Sequence, residues 1–181
     1  METYAALLRG INVSGQKSLR MPVLAGILEG LGFADVRTYL QSGNAVFRGP
    51  AGDARRIAAS IEDRIRRDCG FPAETLVLPR AVLGRIASSN PLLPKGAFDE
   101  SLYHATFLFG PVSEAEFKAL TLPAGPGEKA AWGGPVVYLH CPNGYGRTKL
   151  NNAYFEKALR VPATTRNWRT VRALQALAAE R

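Results

Sequence analysis

Ser42-Gly43 separates two stretches, 35–41 and 44–48, that alternate in polarity and are rich in strand-forming residues. A tight glycine-containing turn between two such runs reads as a β-hairpin. A helical stretch stands on each side of it. Pro22 suits the first turn of the earlier helix, where a missing N–H costs nothing, and Gly32 fits its C-terminal cap. Asp53 opens the later helix, in which Ile57, Ile61, Ile65 and Cys69 recur every four residues. Apolar strands at 4–9 and 74–79 bracket the whole. The order is therefore β-α-β-β-α-β over roughly the first 80 residues, the ferredoxin-like or split βαβ arrangement.

After a connecting helix at 80–88 and a proline-containing loop at 89–99, the order partly recurs. Residues 102–109 read as a strand. Ser113-Glu114-Ala115-Glu116 is a capping box opening a helix. Residues 128–132 and 135–140 read as a hairpin around Gly133-Gly134. Asn151 or Asn152 caps a helix with Tyr154, Phe155, Ala158 and Leu159 on its apolar side, and 161–165 is a short fourth strand. A final helix, 168–180, is expected to bury Trp168, Val171, Leu174 and Leu177 or Ala178. The expected fold is α+β, with two similar ferredoxin-like subdomains at 1–80 and 102–181 joined by 81–101. The repeat is one of element order; no residue-level repeat accompanies it.

The chain has 181 residues and is 46% hydrophobic, enough to bury a core. The start, Met1-Glu2-Thr3-Tyr4, is acidic rather than signal-like, and the apolar runs fall far short of a membrane span. A cytoplasmic protein is expected, with Cys69 and Cys141 free. No zinc-ligand spacing involves them, so neither a metal nor a cofactor is expected.

Net charge is +8, and a basic chain attracts phosphate-rich partners. The excess is not spread evenly. Segments 9–21, 36–50, 141–153 and 160–172 hold Arg9, Lys17, Arg20, Arg37, Arg48, Arg147, Lys149, Arg160, Arg166, Arg169 and Arg172, and no Asp or Glu. These segments centre on loops or element ends rich in Gly, Ser, Thr and Asn. Such stretches supply backbone, hydroxyl and guanidinium donors for an anion. Gly10-Ile11-Asn12-Val13-Ser14-Gly15-Gln16-Lys17-Ser18 nearly matches a phosphate-binding P-loop, but Gln16 is one residue too many. The helix begins near Pro22 rather than at the lysine, and no strand ending in Asp offers a magnesium partner, which argues against an NTPase. In Gly144-Tyr145-Gly146-Arg147-Thr148-Lys149, the tyrosine offers a stacking face and the cations offer charge. Thr164-Thr165-Arg166-Asn167-Trp168 reads mainly as capping and core, with Arg166 the residue that capping explains least.

The candidate ligand-binding set is Arg9, Asn12, Lys17, Gln41, Ser42, Asn44, Tyr145, Arg147, Lys149, Arg166 and Asn167. Segments 9–21, 41–44, 144–152 and 164–169 are expected to converge. The ligand expected is a nucleotide or a nucleic acid, held in a basic cleft between the two subdomains. Two other classes stay open: an enzyme acting on a small anionic metabolite in the same cleft, and a structural protein without a ligand. Acid–base groups are scarce in the basic segments. His104, within a strand, and His140, at a strand end, read as packed or edge histidines. Ser42 lies in a hairpin turn rather than a strand-to-helix elbow, which argues against a serine hydrolase.

Three signatures occur in order along the chain: Ala6-Leu7-Leu8-Arg9-Gly10-Ile11-Asn12-Val13, Thr38-Tyr39-Leu40-Gln41-Ser42-Gly43-Asn44 and Ala163-Thr164-Thr165-Arg166-Asn167-Trp168-Arg169-Thr170-Val171. Together they resemble the bacterial family called domain of unknown function 1697, over nearly the whole chain. Ser14 stands where that family often has Gly. The resemblance implies a cytoplasmic protein with two related α+β subdomains. It implies no activity and no catalytic residue.

Overall fold

The computed structural model describes residues 1–180. The chain divides into two compact units: Met1–Arg85 together with the segment from Ala173 onward, and Ile86–Arg172. One break, between Arg85 and Ile86, falls within the 81–101 connection, and the other, between Arg172 and Ala173, falls inside the last helix. The end of the last helix, expected in the second subdomain, thus groups with the first unit.

The first unit runs β1 (Glu2–Leu8), α1 (Met21–Gly30), β2 (Ala34–Tyr39), β3 (Asn44–Gly49), α2 (Ala54–Cys69), β4 (Thr75–Pro79) and α3 (Arg80–Ser88). Its sheet is antiparallel with the order β2-β3-β1-β4. This is the ferredoxin-like topology: each helix crosses over so that β1 lies in the centre. α1 carries Pro22 in its first turn, and its chain turns away through Gly32 at φ +86°. α2 starts on the Asp53 carboxylate, which accepts from Arg55 N–H, and stops at Gly70 in the left-handed conformation. Tyr4, Ala6 and Leu8 of β1 share one sheet face with Ala45, Phe47 and Val77. They pack with Leu24, Ile27 and Leu28 of α1 and with Ile61 and Ile65 of α2. Burying each large side chain contributes about 1.5–3 kcal/mol. At the rim, Arg37 of β2 pairs with Glu180 at 2.8 Å.

The second unit repeats the order: β5 (Tyr103–Leu108), α4 (Glu114–Lys118), β6 (Lys129–Trp132), β7 (Val136–His140), α5 (Asn152–Leu159), β8 (Ala163–Asn167) and α6 (Trp168–Ala179), the last straddling the division. Sheet order is β6-β7-β5-β8, again antiparallel. The capping box forms: Ser113 Oγ accepts from Glu116 N–H while the Glu116 carboxylate accepts from Ser113 N–H. Asn151 caps α5. Leu108, Val137, Leu139 and Ala163 of the sheet meet Phe117, Leu150, Phe155 and Leu159. β8 starts later than expected and continues to Asn167. The Thr164–Asn167 stretch, read mainly as capping and core, is a strand paired to β5 that runs directly into α6, and its last residue, Asn167, still accepts from Arg169 N–H. Among the described residues, no helix is long and apolar enough to cross a membrane.

Candidate functional site

In the first unit the site begins where β1 ends. Leu8 N–H bonds Gly43 O at 2.8 Å, so the hairpin turn lies against the start of the 9–20 loop. Asn12 then ties the two together. Its side-chain amide donates to Leu19 O at 2.8 Å and to Gln41 O at 2.5 Å, and its Oδ1 accepts from Leu19 N–H. Asn12 N–H also closes the loop onto Lys17 O at 2.8 Å. Ile11 and Leu19 are buried and anchor both ends. The loop is built from left-handed residues: Gly10, Asn12, Ser14 and Gly15, joined across the turn by Leu40 and Gly43. Such conformations cost free energy in residues with a side chain and cluster at functional surfaces. Gly43 is fixed by contact as well, since a Cβ there would stand 2.7 Å from Ile11 Cδ1 and 2.8 Å from Leu8 Cβ. Val13 and Leu40, both apolar, are exposed on these adjoining loops.

In the second unit a turn, Tyr145–Arg147, follows β7 and leads through Thr148 to the Asn151 cap of α5. Tyr145 stacks on His104 of β5, with ring centroids 4.6 Å apart. Its hydroxyl engages the Thr165 side chain and the Asn152 backbone, which partly offsets the upward push of burial on its pKa. Thr165 and Thr106 share a hydrogen bond of 2.9 Å, Thr165 donates to Asn152 Oδ1 at 2.7 Å, and Asn152 donates to Ala163 O at 2.8 Å. Asn167 donates to Ser101 O at 3.2 Å and lies 3.5 Å from His104 Nε2. His104 is only 7% exposed, and burial holds its pKa down at about 4. The imidazole is therefore neutral at pH 7. Its Nδ1 has no hydrogen-bond partner among the described residues.

Of the predicted residues, Asn12, Gln41, Ser42 and Asn44 come together with Lys17 in the first unit. Tyr145 and Asn167 come together in the second, through His104. Thus segments 9–21 and 41–44 adjoin, as do 144–152 and 164–169. Several members hold the fold rather than face solvent. Asn44 is fully buried and binds Tyr39 O and Ser42 Oγ, each at 2.8 Å. Arg166 is 7% exposed and donates to Thr164 Oγ1 at 2.7 Å; burial lowers its pKa to about 10, so it stays charged. Asn167 Oδ1 accepts from Arg169 N–H, the capping role read from the sequence.

The fold also redistributes the charge. Carboxylates from outside the acid-free segments pair with Arg9 (Glu74, 2.6 Å), Arg37 (Glu180), Arg48 (Asp35, 3.2 Å), Arg169 (Asp99, 3.7 Å) and Arg172 (Glu100). Lys17, Arg20, Arg147, Lys149 and Arg160 have no carboxylate within ion-pair distance among the described residues. Four of these five lie on the two glycine-rich loops or at their ends, and Arg160 follows α5.

Sequence reasoning missed His104, Thr106, Asn152 and Thr165 as a group. The available signal was polarity at alternate positions that otherwise face the helices. Among the described residues, neither sheet presents the open face that stacks bases in RNA-recognition modules. Ala5, Leu7 and Val46, and Ala105, Phe107 and Tyr138, lie on the sheet faces opposite the helix-packed cores and are buried. A cavity of about 370 Å³ opens elsewhere in the first unit, lined by Glu2, Thr3, Arg48 and Arg80 but by none of the predicted ligand residues.

The model of a family described as "Protein of unknown function (DUF1697)" matches residues 1–138. No curated protein matches the sequence. Among solved structures, the conserved bacterial protein SP0830 from Streptococcus pneumoniae is similar, with 24% identity, coverage of 98% of each chain and a TM-score of 0.72. That likeness is one of fold.

Proposed function

The chain belongs to the DUF1697 family of proteins of unknown function, and from its own geometry we propose that it binds a phosphate-bearing ligand, a nucleic acid or a nucleotide, through its two glycine-rich loops. One observation carries this reading. Within the acid-free segments, Arg9 at the start of the first loop and most cations on strands and in α6 have acquired carboxylate partners, while Lys17 and Arg20, and Arg147 and Lys149, have not. A cation without a partner, beside glycines that let a ligand approach the backbone, is the arrangement an anionic ligand uses. Buried sheet faces leave loops as the surface for contact.

Labelled single- and double-stranded oligonucleotides, and a panel of nucleotides, titrated at several salt concentrations, test the proposal. Nucleic acid should bind with a log-log salt slope near −0.9 per phosphate contact on duplex DNA. A nucleotide site should give a shallow slope and a preference among bases. No binding of any of them at low salt would remove the proposal.

A further inference from the structure

The cavity beside the start of β1 is lined by Met1, Glu2, Thr3, Arg48, Arg80 and Ala81, all within the first unit. Register puts Thr3 between the two arginines. Thr3 pairs with Arg48 of β3, and its neighbour Tyr4 pairs with Pro79 of β4, so Arg80 follows on the other side. Tyr4 and Phe47 pack toward α1 and α2, so Thr3 and Arg48 lie on the opposite face of the sheet. Glu2 shares the face of Tyr4, and its carboxylate accepts from the Tyr4 hydroxyl at 2.9 Å. The one acid in the lining is thus turned away from the cavity. The polar side chains left to it are a hydroxyl and two guanidinium groups. Thr3 is only 6% exposed, yet its hydroxyl makes no hydrogen bond among the described residues. A nearly buried hydroxyl without a partner in the chain is held out to whatever fills the cavity.

We propose that this cavity binds a small phosphomonoester, with the phosphate on the Thr3 hydroxyl and the Arg48 and Arg80 guanidinium groups and the organic body beside Met1 and Ala81. The site is separate from the two glycine-rich loops and does not rest on them. Its occupant is an anion, because the side chains that face it donate and two of them are cations. Arg48 gives Nη1 to Asp35 at 3.2 Å, and Arg80 also interacts within the chain. A guanidinium fork has more N–H groups than one partner takes, so an edge remains for a ligand. α3 begins at Arg80 with no acid in its first turn, so the positive end of its dipole adds to the field at Ala81. Donors on three neighbouring strands or strand ends suit a tetrahedral group with three terminal oxygens; a planar carboxylate would leave one donor unmet. Ligand pockets run from about 300 to 1,000 Å³. At about 370 Å³ the cavity takes a small metabolite rather than a polymer.

The test is calorimetric titration of the full chain with inorganic phosphate, glycerol phosphate, phenyl phosphate and benzoate. It is run on the parent and on the double variant Lys17→Ala with Arg147→Ala, which disables the loops. At least one phosphomonoester should bind both proteins alike, and more tightly than inorganic phosphate, because its body adds contacts. In the ¹⁵N-labelled double variant the backbone amides of Thr3, Arg80 and Ala81 should shift, while those of Gly10 and Lys17 stay in place. Thr3→Val removes the hydroxyl alone and should weaken binding about tenfold. It should not lower Tm, since that hydroxyl has no partner in the fold. Arg80→Gln should weaken binding by about tenfold or more. Binding lost in the double variant, or shifts confined to the loops, would overturn the cavity site and leave the loop reading standing. Binding that neither Thr3→Val nor Arg80→Gln weakens would overturn it as well, as would failure of both phosphomonoesters to bind. Benzoate held as tightly as phenyl phosphate would overturn the assignment to phosphate. Should a variant not fold, the amide shifts decide.

Discussion

The two units place different chemistry on the same frame. On the helix-facing side of the central strand, the first has Tyr4, Ala6 and Leu8, and the second has His104, Thr106 and Leu108. On the neighbouring edge strand the positions paired with them are Pro79, Val77 and Thr75 in one, and Asn167, Thr165 and Ala163 in the other. The fold itself is satisfied by the apolar version. The polar version replaces apolar contact with hydrogen bonds among Thr106, Thr165 and Asn152. The loops differ as well. The first unit spends its strained residues on clamping loop 9–20 to a hairpin; the second leaves a short turn over a histidine.

The largest effect expected from this contrast is at the hairpin turns. Gly43→Ala meets both a φ of +79° and contacts of 2.7 and 2.8 Å, and should cost about 4 kcal/mol, a fall in Tm of about 10 °C. Gly134 has a similar φ of +77° but no atom within 4 Å of a Cβ, so Gly134→Ala should cost about 1 kcal/mol. Equal melting temperatures for the two variants would show that loop 9–20 does not press on its turn.

Next is pH. The folded state holds His104 at about 4 against an ordinary 6.5. Between those values the unfolded chain takes up a proton that the folded chain refuses. Stability is thus intact above 6.5 and declines as the pH falls through 4, by about 3 kcal/mol in all. Denaturant unfolding across that range checks it, and His104→Phe should flatten the slope.

The polar cluster can also be made to look like the first unit. Thr165→Val alone leaves Asn152 Oδ1 and the Tyr145 hydroxyl each short of a bond and should cost about 1–3 kcal/mol. Adding Thr106→Val removes the other hydroxyl of the pair and should recover part of that loss. A double variant worse than the sum of the singles would mean that the two hydroxyls do not act as a pair.

The contrast also shows what a one-dimensional reading can reach. Hairpins, caps and helical periodicity are local, and Ser42-Gly43, Asp53, Asn151 and the Ser113 capping box all stand where the sequence placed them. The clamp of Asn12 onto the turn was legible as a shared lack of acids but not as a hydrogen bond. Charge pairing was not legible at all, because Glu74 and Glu180 lie far along the chain from Arg9 and Arg37. Acid-free stretches in sequence are not acid-free surfaces in space. His104 was read as a packed histidine; its stack on Tyr145 depends on a loop conformation that no spacing encodes. β8 was set too early because Thr164–Asn167 carries capping residues, and the pairing with β5 prevails over that local preference.

The central claim is that the unpaired loop cations, rather than basic residues in general, hold the ligand. The most direct measurement compares two double variants, Lys17→Ala with Arg147→Ala and Arg9→Ala with Arg37→Ala, by oligonucleotide and nucleotide titration over a salt series. Both should stay within about 0.5 kcal/mol of the parent in stability, since exposed charges contribute little. The first pair should weaken binding and, on duplex DNA, flatten the salt slope by about 0.9 per lost contact, while the second pair, already neutralised by Glu74 and Glu180, should bind like the parent. Equal losses in both, or none in the first, would contradict the account.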